Sequence, residues 1–123
     1  MNILIPLPPA TKKNSNQIVK VRGRYMVIPS AKYKKYEKDC SKYLPSLAEP
    51  IDEPVNVCCV YYMPTRRRVD LVNLQEATLD VLVKYKVLAD DNSSIVISMN
   101  GSQVFWDKDN PRTEITITPI TCP

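Results

Sequence analysis

Residues 55–83 read VNVCCVYYMPTRRRVDLVNLQEATLDVLV, and this stretch decides the fold because it joins a strand to a helix. Its first nine residues are rich in Val, Cys and Tyr, which is typical of a strand at the centre of a sheet. Pro64 ends the strand, and three arginines lead into an apolar segment with helical periodicity from about Asp70. The stretch therefore predicts a central strand followed by a helix, with a strongly basic link between them.

An acidic line runs along this otherwise apolar helix. At about 100° per residue, four polar positions fall within one sector of the helical wheel: Asp70, Asn73, Glu76 and Asp80. Crowding ionised carboxylates on a largely buried helix is costly, and a bound cation is the commonest compensation. We therefore expect a metal ion on this face, with the neighbouring arginines available to hold phosphate.

Two more carboxylates, Asp90 and Asp91, precede the next predicted strand. If that strand returns beside the one that ends at Met63, both sets of acids meet at one rim of the sheet. Mg²⁺ prefers one or two carboxylates, several waters and phosphate oxygens, so the candidate ligands are Asp70, Asp80, Asp90 and Asp91, with Mn²⁺ as the alternative ion. The simpler interpretation is a helix N-cap at Asp70 and a polar turn at Asp90-Asp91. For each residue taken alone, the simpler interpretation is favoured over a metal site. For all of these acids together, beside three arginines, the metal site is favoured.

The composition narrows the chemistry further. The chain has no histidine, which excludes a Ser-His-Asp triad and histidine-ligated zinc. Its four cysteines include no C-x-x-C pair, and we expect all of them reduced, with Cys40 and either Cys58 or Cys59 in the core. No signal peptide is apparent and no apolar run reaches membrane-spanning length, so we expect a cytoplasmic protein without membrane contact.

The formal charge of +4 is unevenly spread over the 123 residues. Residues 1–44 hold ten Lys and Arg against two acids, whereas residues 45–123 hold seven against eleven. This division suits a protein that binds a polyanion with its basic half and a metal ion with its acidic half. A solvated lysine-rich helix is the simpler explanation when only the charge is considered. The candidate phosphate contacts are Lys12, Lys13, Arg22, Arg24, Arg66, Arg67 and Arg68.

The remaining elements follow from turn residues and periodicity. In chain order we predict a strand over residues 2–7, a hairpin over residues 17–28, a helix over residues 30–43 and, after the second helix, strands from residue 95 and over residues 114–118. Residues 98–106 either continue the strand from residue 95 or form a hairpin through Asn100-Gly101. The order predicts one α+β domain over residues 1–123, with two main helices packed on a mixed β-sheet.

As a set, these motifs resemble the RusA family of Holliday junction resolvases, small dimeric Mg²⁺-dependent endonucleases often carried by phages and prophages. The resemblance covers nearly the whole chain and rests on Pro8-Pro9 with its Lys/Asn-rich loop, Gly23-Arg24, Met63-Pro64, the arginine run, Asp70-Leu71-x-Asn73-Leu74, Asp80 and Asp90-Asp91. It implies a RusA-like fold, a homodimer, Mg²⁺ and a four-way branched DNA substrate. It also implies that Asp70 and Asp91 are metal-site acids, with Asp80 and Asp90 as further acidic positions.

Two positions depart from the family pattern. Val72 stands where the family often has a second aspartate, and Glu76 stands where it has a lysine. These positions are four residues apart and lie about 40° from each other on the helical wheel, so Glu76 can restore the carboxylate that Val72 lacks. The resulting hypothesis is a variant site with Asp70, Asp91 and Glu76 as catalytic residues.

The leading hypothesis is a Mg²⁺-dependent, structure-selective endonuclease that resolves Holliday junctions by phosphodiester hydrolysis in recombination and repair. A two-fold homodimer would provide one site for each of two opposed strands. The alternative is a branched-DNA-binding module whose catalysis is weakened or lost because of Val72 and Glu76. A metal-free domain that binds a basic partner protein, and a nuclease without branch preference, stay open as further alternatives.

Overall fold

The computed structural model describes residues 1–12 and 16–121 and has the predicted α+β arrangement. In chain order the elements are β1 (Asn2–Ile5), β2 (Asn16–Val21), β3 (Arg24–Pro29), α1 (Ala31–Cys40), a 3₁₀ turn (Ser41–Tyr43), β4 (Val55–Met63), α2 (Leu71–Lys84), β5 (Val96–Ser98), β6 (Gln103–Trp106) and β7 (Arg112–Pro119). The predicted central strand is therefore confirmed, and it is followed by the basic link and the second helix.

The main sheet is mixed because β4 has neighbours of both orientations. β7 pairs with β4 in antiparallel fashion along nearly its whole length, and β1 pairs antiparallel with β7. Along the other edge of β4, the first residues of β4 pair in parallel with β5, and the last residues of β4 pair in parallel with β6. Residues 98–106 therefore form neither one continuous strand nor a hairpin, because β5 and β6 follow each other along the same edge of β4.

A turn at Gly101 separates β5 from β6, and the position requires glycine for two reasons. Its φ of 89° lies in the left-handed region that other residues rarely adopt. A Cβ atom at Gly101 would also lie 3.0 Å from Cys58 Sγ, which is tighter than ordinary contact. This close approach lets β6 continue beside the second half of β4.

The core lies on one face of the sheet. β4 alternates along its length, as expected for a strand that packs helices on one side only, and its buried positions are Val55, Val57, Cys59 and Tyr61. Cys40 of α1 and Leu82 of α2 belong to the same apolar cluster. The buried hydroxyl of Tyr61 is hydrogen-bonded to Thr78 Oγ1 at 2.7 Å, so this ring enters the core without an unpaired polar atom.

The described cysteines are free, and two of them lie in the core as the sequence predicts. Cys40 and Cys59 are fully buried, whereas Cys58 is half-buried on the opposite face of β4. Burial raises the pKa of Cys40 to about 11 and the pKa of Cys59 to about 12, so both thiols are protonated at neutral pH. Cys122 lies outside the described residues.

The two helices begin differently. Ser30 caps α1, because its Oγ accepts a 3.1 Å hydrogen bond from the backbone N–H of Tyr33. α2 begins at Leu71, with Asp70 at the N-cap position, and ends at Lys84, whose ammonium pairs with Glu37 of α1. Neither helix is long and apolar enough to cross a membrane, judged over the described ranges.

The predicted hairpin is present as a separate two-stranded sheet of β2 and β3. Its turn consists of Arg22 and Gly23, which both have positive φ, at 51° and 80°. Two consecutive positive φ values match a type I′ turn, whose twist suits a two-residue hairpin loop.

The buried face of α2 can be tested with two valines of the same helix. Val81 is 2% exposed, and Val81→Ala removes two methyl groups from the core, so it should lower the free energy of unfolding by roughly 2 kcal/mol. Val72 is 69% exposed, and Val72→Ala should change the free energy of unfolding by no more than about 0.5 kcal/mol. Urea denaturation followed by circular dichroism measures both, and equal losses would contradict this packing.

Candidate functional site

The sheet topology separates the candidate site acids along α2. Asp70 follows the end of β4, whereas α2 runs back along the sheet towards the end where β4 begins. β5 is parallel to β4 and pairs with its first residues, so Asp90 and Asp91, which precede β5, do not return to the Met63 end. The expected common rim is therefore wrong for a single chain, because parallel strands start at the same end of a sheet.

Helix geometry gives the scale of this separation. An α-helix rises about 1.5 Å per residue, so Asp70 and Asp80, ten positions apart, are about 15 Å apart along α2. Asp91 lines the same cleft as Asp80, together with the last turn of α2. The acids thus lie at two separate places. Asp70 lies beside the arginine run, whereas Asp80 and Asp91 lie near the other end of α2.

Asp70 occupies the N-cap position without acting as a cap. Its backbone is extended, with φ −83° and ψ 125°, as an N-cap residue requires, but its side chain makes no capping hydrogen bond. Its Oδ2 instead accepts a weak 3.3 Å hydrogen bond from Asn73 Nδ2. Helix capping therefore explains the position of Asp70 but not its exposed carboxylate.

A basic groove lies beside this end of α2. Arg67 and Arg68 line it, with Lys32 of α1 and the Pro8-Pro9 segment on its other side, and its volume is about 390 Å³. None of its lining residues, all of which belong to the described chain, is acidic. Such a groove attracts phosphate through charge and through the forked hydrogen bonds of arginine.

Arg66 contacts a different surface from the other two arginines. Its guanidinium carbon lies 4.3 Å from the centre of the Trp106 ring, at the end of β6. The three adjacent arginines therefore divide between the basic groove and an aromatic edge of the sheet.

Lys12 lies on the acidic line of α2. Its Nζ is 2.8 Å from Asp80 Oδ2, and the same residue lines a small cavity with Asn73 and Glu76. The predicted phosphate contact at Lys12 is thus occupied by an ion pair in this structure. Sequence reasoning missed the pair because 68 residues separate Lys12 from Asp80, and no local periodicity relates them.

Asp80 and Asp91 share an open cleft of about 1000 Å³ between α1 and the last turns of α2. Although Asp91 is exposed as a whole, partial burial of its carboxyl group raises its pKa, and the neighbouring Asp90 and Asp80 carboxylates raise it further. Because Lys12 pairs with Asp80, Asp91 is the carboxylate of this cleft whose charge is poorly compensated.

Asp90 has the opposite environment. Its Oδ1 accepts a 2.8 Å hydrogen bond from the backbone N–H of Asp91, and its Oδ2 accepts one at 2.9 Å from Asn92 Nδ2. These two bonds lower the pKa of Asp90. The turn interpretation therefore accounts for both oxygens of Asp90.

The remaining candidate residues lie on exposed parts of the chain. Val72 and Glu76 are both exposed on α2, and Arg22 and Arg24 are exposed at the turn of the β2–β3 hairpin. Lys13 lies outside the described residues. The hairpin arginines are therefore accessible to a polyanion, although they lie on a separate sheet, and their contact with phosphate stays a prediction.

The acidic groups of one chain meet the needs of a divalent ion only in part. Within residues 1–12 and 16–121, no three acidic or cysteine side chains form a group that could hold a metal. The oxygen donors and the absence of histidine fit Mg²⁺, which commonly takes one or two carboxylates and completes its shell with water and phosphate. The donor set therefore fits an ion that is completed by substrate or by a second chain, and not a closed cage within one chain.

Comparison with known families supports the motif resemblance. A family model described as Endodeoxyribonuclease RusA matches residues 6–118, from just after β1 to the last residues of β7. No curated protein matches the chain closely enough to count as a relative. The family resemblance inferred from the motifs is confirmed by a match that spans almost the whole chain.

Because Asp90 and Asp91 have opposite environments, replacing each of them by asparagine should have opposite effects on the stability of the fold. The pKa of Asp91 is raised above its ordinary value of 3.8, so its ionisation costs stability as pH rises through the raised pKa. Without metal, Asp91→Asn should therefore raise the midpoint of thermal unfolding at pH 7, and this gain should vanish below pH 3.8.

Asp90→Asn is the matched control. The lowered pKa of Asp90 means that its ionised form stabilises the fold above pH 3.8 and loses this effect as pH falls through the lowered pKa. Asp90→Asn should therefore lower the unfolding midpoint at pH 7. Thermal unfolding from pH 3 to 7 measures both variants, and shifts of the same sign would contradict these assignments.

Proposed function

Because the chain belongs to the RusA family of endodeoxyribonucleases, we propose that it is a metal-dependent endonuclease that resolves four-way DNA junctions. The observation that carries this proposal is the exposed Asp70 carboxylate, which stands at a helix start without capping it and follows directly on the arginine run. Family membership implies a branched DNA substrate, and RusA resolvases generally depend on a divalent metal. An acid with no capping role beside a phosphate-binding groove is what such a reaction needs.

The basic groove gives the DNA strand its path in this proposal. Phosphates lying along Lys32, Arg67 and Arg68 would bring the backbone past the start of α2, where Asp70 is exposed. The arginines hold successive phosphates in register and carry no sequence information, which suits recognition by branch shape. Binding should weaken steeply with salt, because each neutralised phosphate releases counterions.

We assign the metal to Asp70 and Asp91, with Asp80 and Asp90 as surrounding acids and Mg²⁺, or Mn²⁺ in its place, as the ion. When bound, such an ion supplies Lewis-acid polarisation of the phosphodiester and a water of lowered pKa. Lys12 neutralises Asp80, so Asp91 is left as the acid of the cleft that attracts a cation. Asp90 orients Asp91 by accepting the hydrogen bond from its backbone N–H.

A homodimer reconciles this assignment with the separation along α2. Asp91 shares its cleft with Asp80, about 15 Å from Asp70 along the helix, whereas Mg²⁺ binds its ligands at about 2.1 Å. An ion that contacts both acids therefore takes Asp70 from one protomer and Asp91 from its partner. A two-fold dimer has two such sites, which matches the two opposed strands of a four-way junction.

A second candidate function is a branched-DNA-binding module without catalysis. It is favoured by the exposed apolar Val72, which stands where the family pattern often has an acid, and by the lack of a three-acid group in the described ranges. Binding of junctions with no cleavage in either Mg²⁺ or Mn²⁺ would support this candidate. Cleavage of a four-way junction in preference to linear duplex, at equal metal concentration, supports the endonuclease.

Asp70→Asn tests the proposed metal site. The substitution keeps the size of the side chain and removes its charge, so junction binding in EDTA should persist while cleavage with Mg²⁺ falls about 100-fold or more. Asp109→Asn, in the exposed turn before β7, is the control and should cut at the wild-type rate. Cleavage by Asp70→Asn at the wild-type rate would contradict the assignment of the metal to Asp70.

A mixture of variants tests the shared site. Asp70→Asn and Asp91→Asn should each be inactive alone, but mixed dimers contain one site with both acids intact, so nicking of a junction strand should reappear on mixing. Denaturing gel electrophoresis of end-labelled junctions measures the nicks. Continued inactivity of the mixture, with heterodimers verified by mass spectrometry, would contradict a site shared between protomers.

Glu76 is tested through metal affinity. If its carboxylate replaces the acid absent at Val72, Glu76→Ala should weaken Mg²⁺ binding to the DNA complex about 10-fold, as measured by titration calorimetry with uncleavable junction. Val72→Asp restores a carboxylate at that position and should strengthen the same binding. Unchanged Mg²⁺ affinity and unchanged cleavage in Glu76→Ala would remove Glu76 from the site.

A further inference from the structure

The edge strand β6 exposes two neighbouring aromatic rings. All four of its residues are exposed, and Phe105 and Trp106 keep 46% and 45% of their surface accessible. Adjacent residues of a strand point to opposite faces, so one ring lies on each side of the sheet edge. This edge of the sheet therefore carries an exposed aromatic ring on each of its two faces.

Phe105 is the outermost member of a preformed row of flat groups. Tyr62 of β4 is paired in register with both Phe105 and Arg112 of β7. The Tyr62 and Phe105 rings are stacked, with centroids 5.6 Å apart and an interplanar angle of 27°, and the Arg112 guanidinium carbon lies 3.7 Å from the centre of the Tyr62 ring. Arg112 is fixed in turn by a 3.0 Å bond to Asp107. Phe105 is therefore held in orientation while much of its surface stays exposed.

Trp106 is oriented by a cation on the other side of the edge. Arg66, the first residue of the arginine run, stacks on its ring at 4.3 Å. This cation–π pair fixes one face of the indole next to exposed positive charge and leaves nearly half of the residue accessible. Both rings of the edge are thus backed by a flat partner, Tyr62 for Phe105 and Arg66 for Trp106.

We propose that the β6 edge binds unpaired bases of branched DNA, which stack on Phe105 and Trp106 while Arg66 beside Trp106 holds a neighbouring phosphate. Aromatic rings beside cations are the chemistry by which proteins hold exposed bases, since every base has a π-face. Bases in linear duplex are covered by their neighbours, whereas bases at a branch point can unstack. The edge therefore adds selectivity for branched over linear DNA, and in this respect the inference rests on the proposed function.

Charge favours DNA over a second copy of the chain at this edge. A two-fold pairing of two β6 edges is isologous, so the surface that carries Arg66 would face the same positively charged surface of the second copy. The like charges of the two copies would repel each other. A polyanion meets the same positive charge with attraction.

Trp106 allows a direct test because it is the only tryptophan of the chain. The wild-type protein is titrated in EDTA with a four-way junction and, separately, with a linear duplex of equal length. Stacking of a base on the indole should quench its fluorescence with the junction and change it far less with the duplex. Equal quenching by the two DNAs would overturn the proposal.

Three variants of one strand complete the test. Phe105→Leu and Trp106→Leu keep an apolar side chain but remove the ring, and each should weaken junction binding about 5- to 100-fold and duplex binding less than about twofold. Val104→Ala, at a neighbouring exposed position without a ring, should bind junctions within about twofold of wild type. Because these side chains are exposed, the variants should fold, and circular dichroism verifies this.

The outcomes separate the two proposals. Wild-type junction cleavage with unchanged junction affinity in both leucine variants would overturn base stacking and leave the proposed function standing. Trp106 fluorescence that changes with protein concentration in the absence of DNA would identify β6 as a contact between chains and also overturn base stacking. If the wild type neither binds nor cuts junctions at low salt, the proposed function fails, and this inference fails with it.

Discussion

The parallel pairing of β4 with β5 is the constraint on which the rest of the structure depends. A parallel neighbour requires a crossover, and α2 is that crossover, so its buried residues must cover β4 while its polar line faces outward. The same pairing fixes Asp70 at one end of α2 and brings Asp91 to the cleft of Asp80 near the other. A chain with antiparallel β5 would have gathered these acids at one rim.

This arrangement leaves unfavourable charge in the folded chain. The acidic line of α2 is offset in part by Lys12, which reaches Asp80 from the segment after β1. A separate acid, Glu37 of α1, is paired with Lys84. Asp91 keeps a raised pKa, so its ionised form is not fully compensated within the described chain. Groups that cost stability and lie in a cleft are common at functional sites, because a bound cation or substrate supplies the missing charge.

Much of the fold could be predicted from local sequence signals. The strand Val55–Met63, the helix that starts near residue 30 and the hairpin over residues 17–28 were predicted correctly, because strand composition and turn residues act over a few adjacent positions. The path of residues 95–106 was not predicted correctly, because β5 and β6 are both short and their positions depend on which part of β4 each one contacts. For the site, periodicity predicted an acidic face on α2 but could not pair it with Lys12, which is distant in the sequence.

The sequence alone determined the family, the central strand and helix, the oxygen-only donor set and the basic link, because each of these follows from residue type and short spacing. Tertiary structure alone decided which charges meet. Strand direction separated Asp70 from the Asp80–Asp91 cleft, and sheet pairing aligned Arg112, Tyr62 and Phe105 in one row. The physical reason is that electrostatic and stacking energies depend on distances across the fold, and local patterns do not encode the orientation of one strand relative to another.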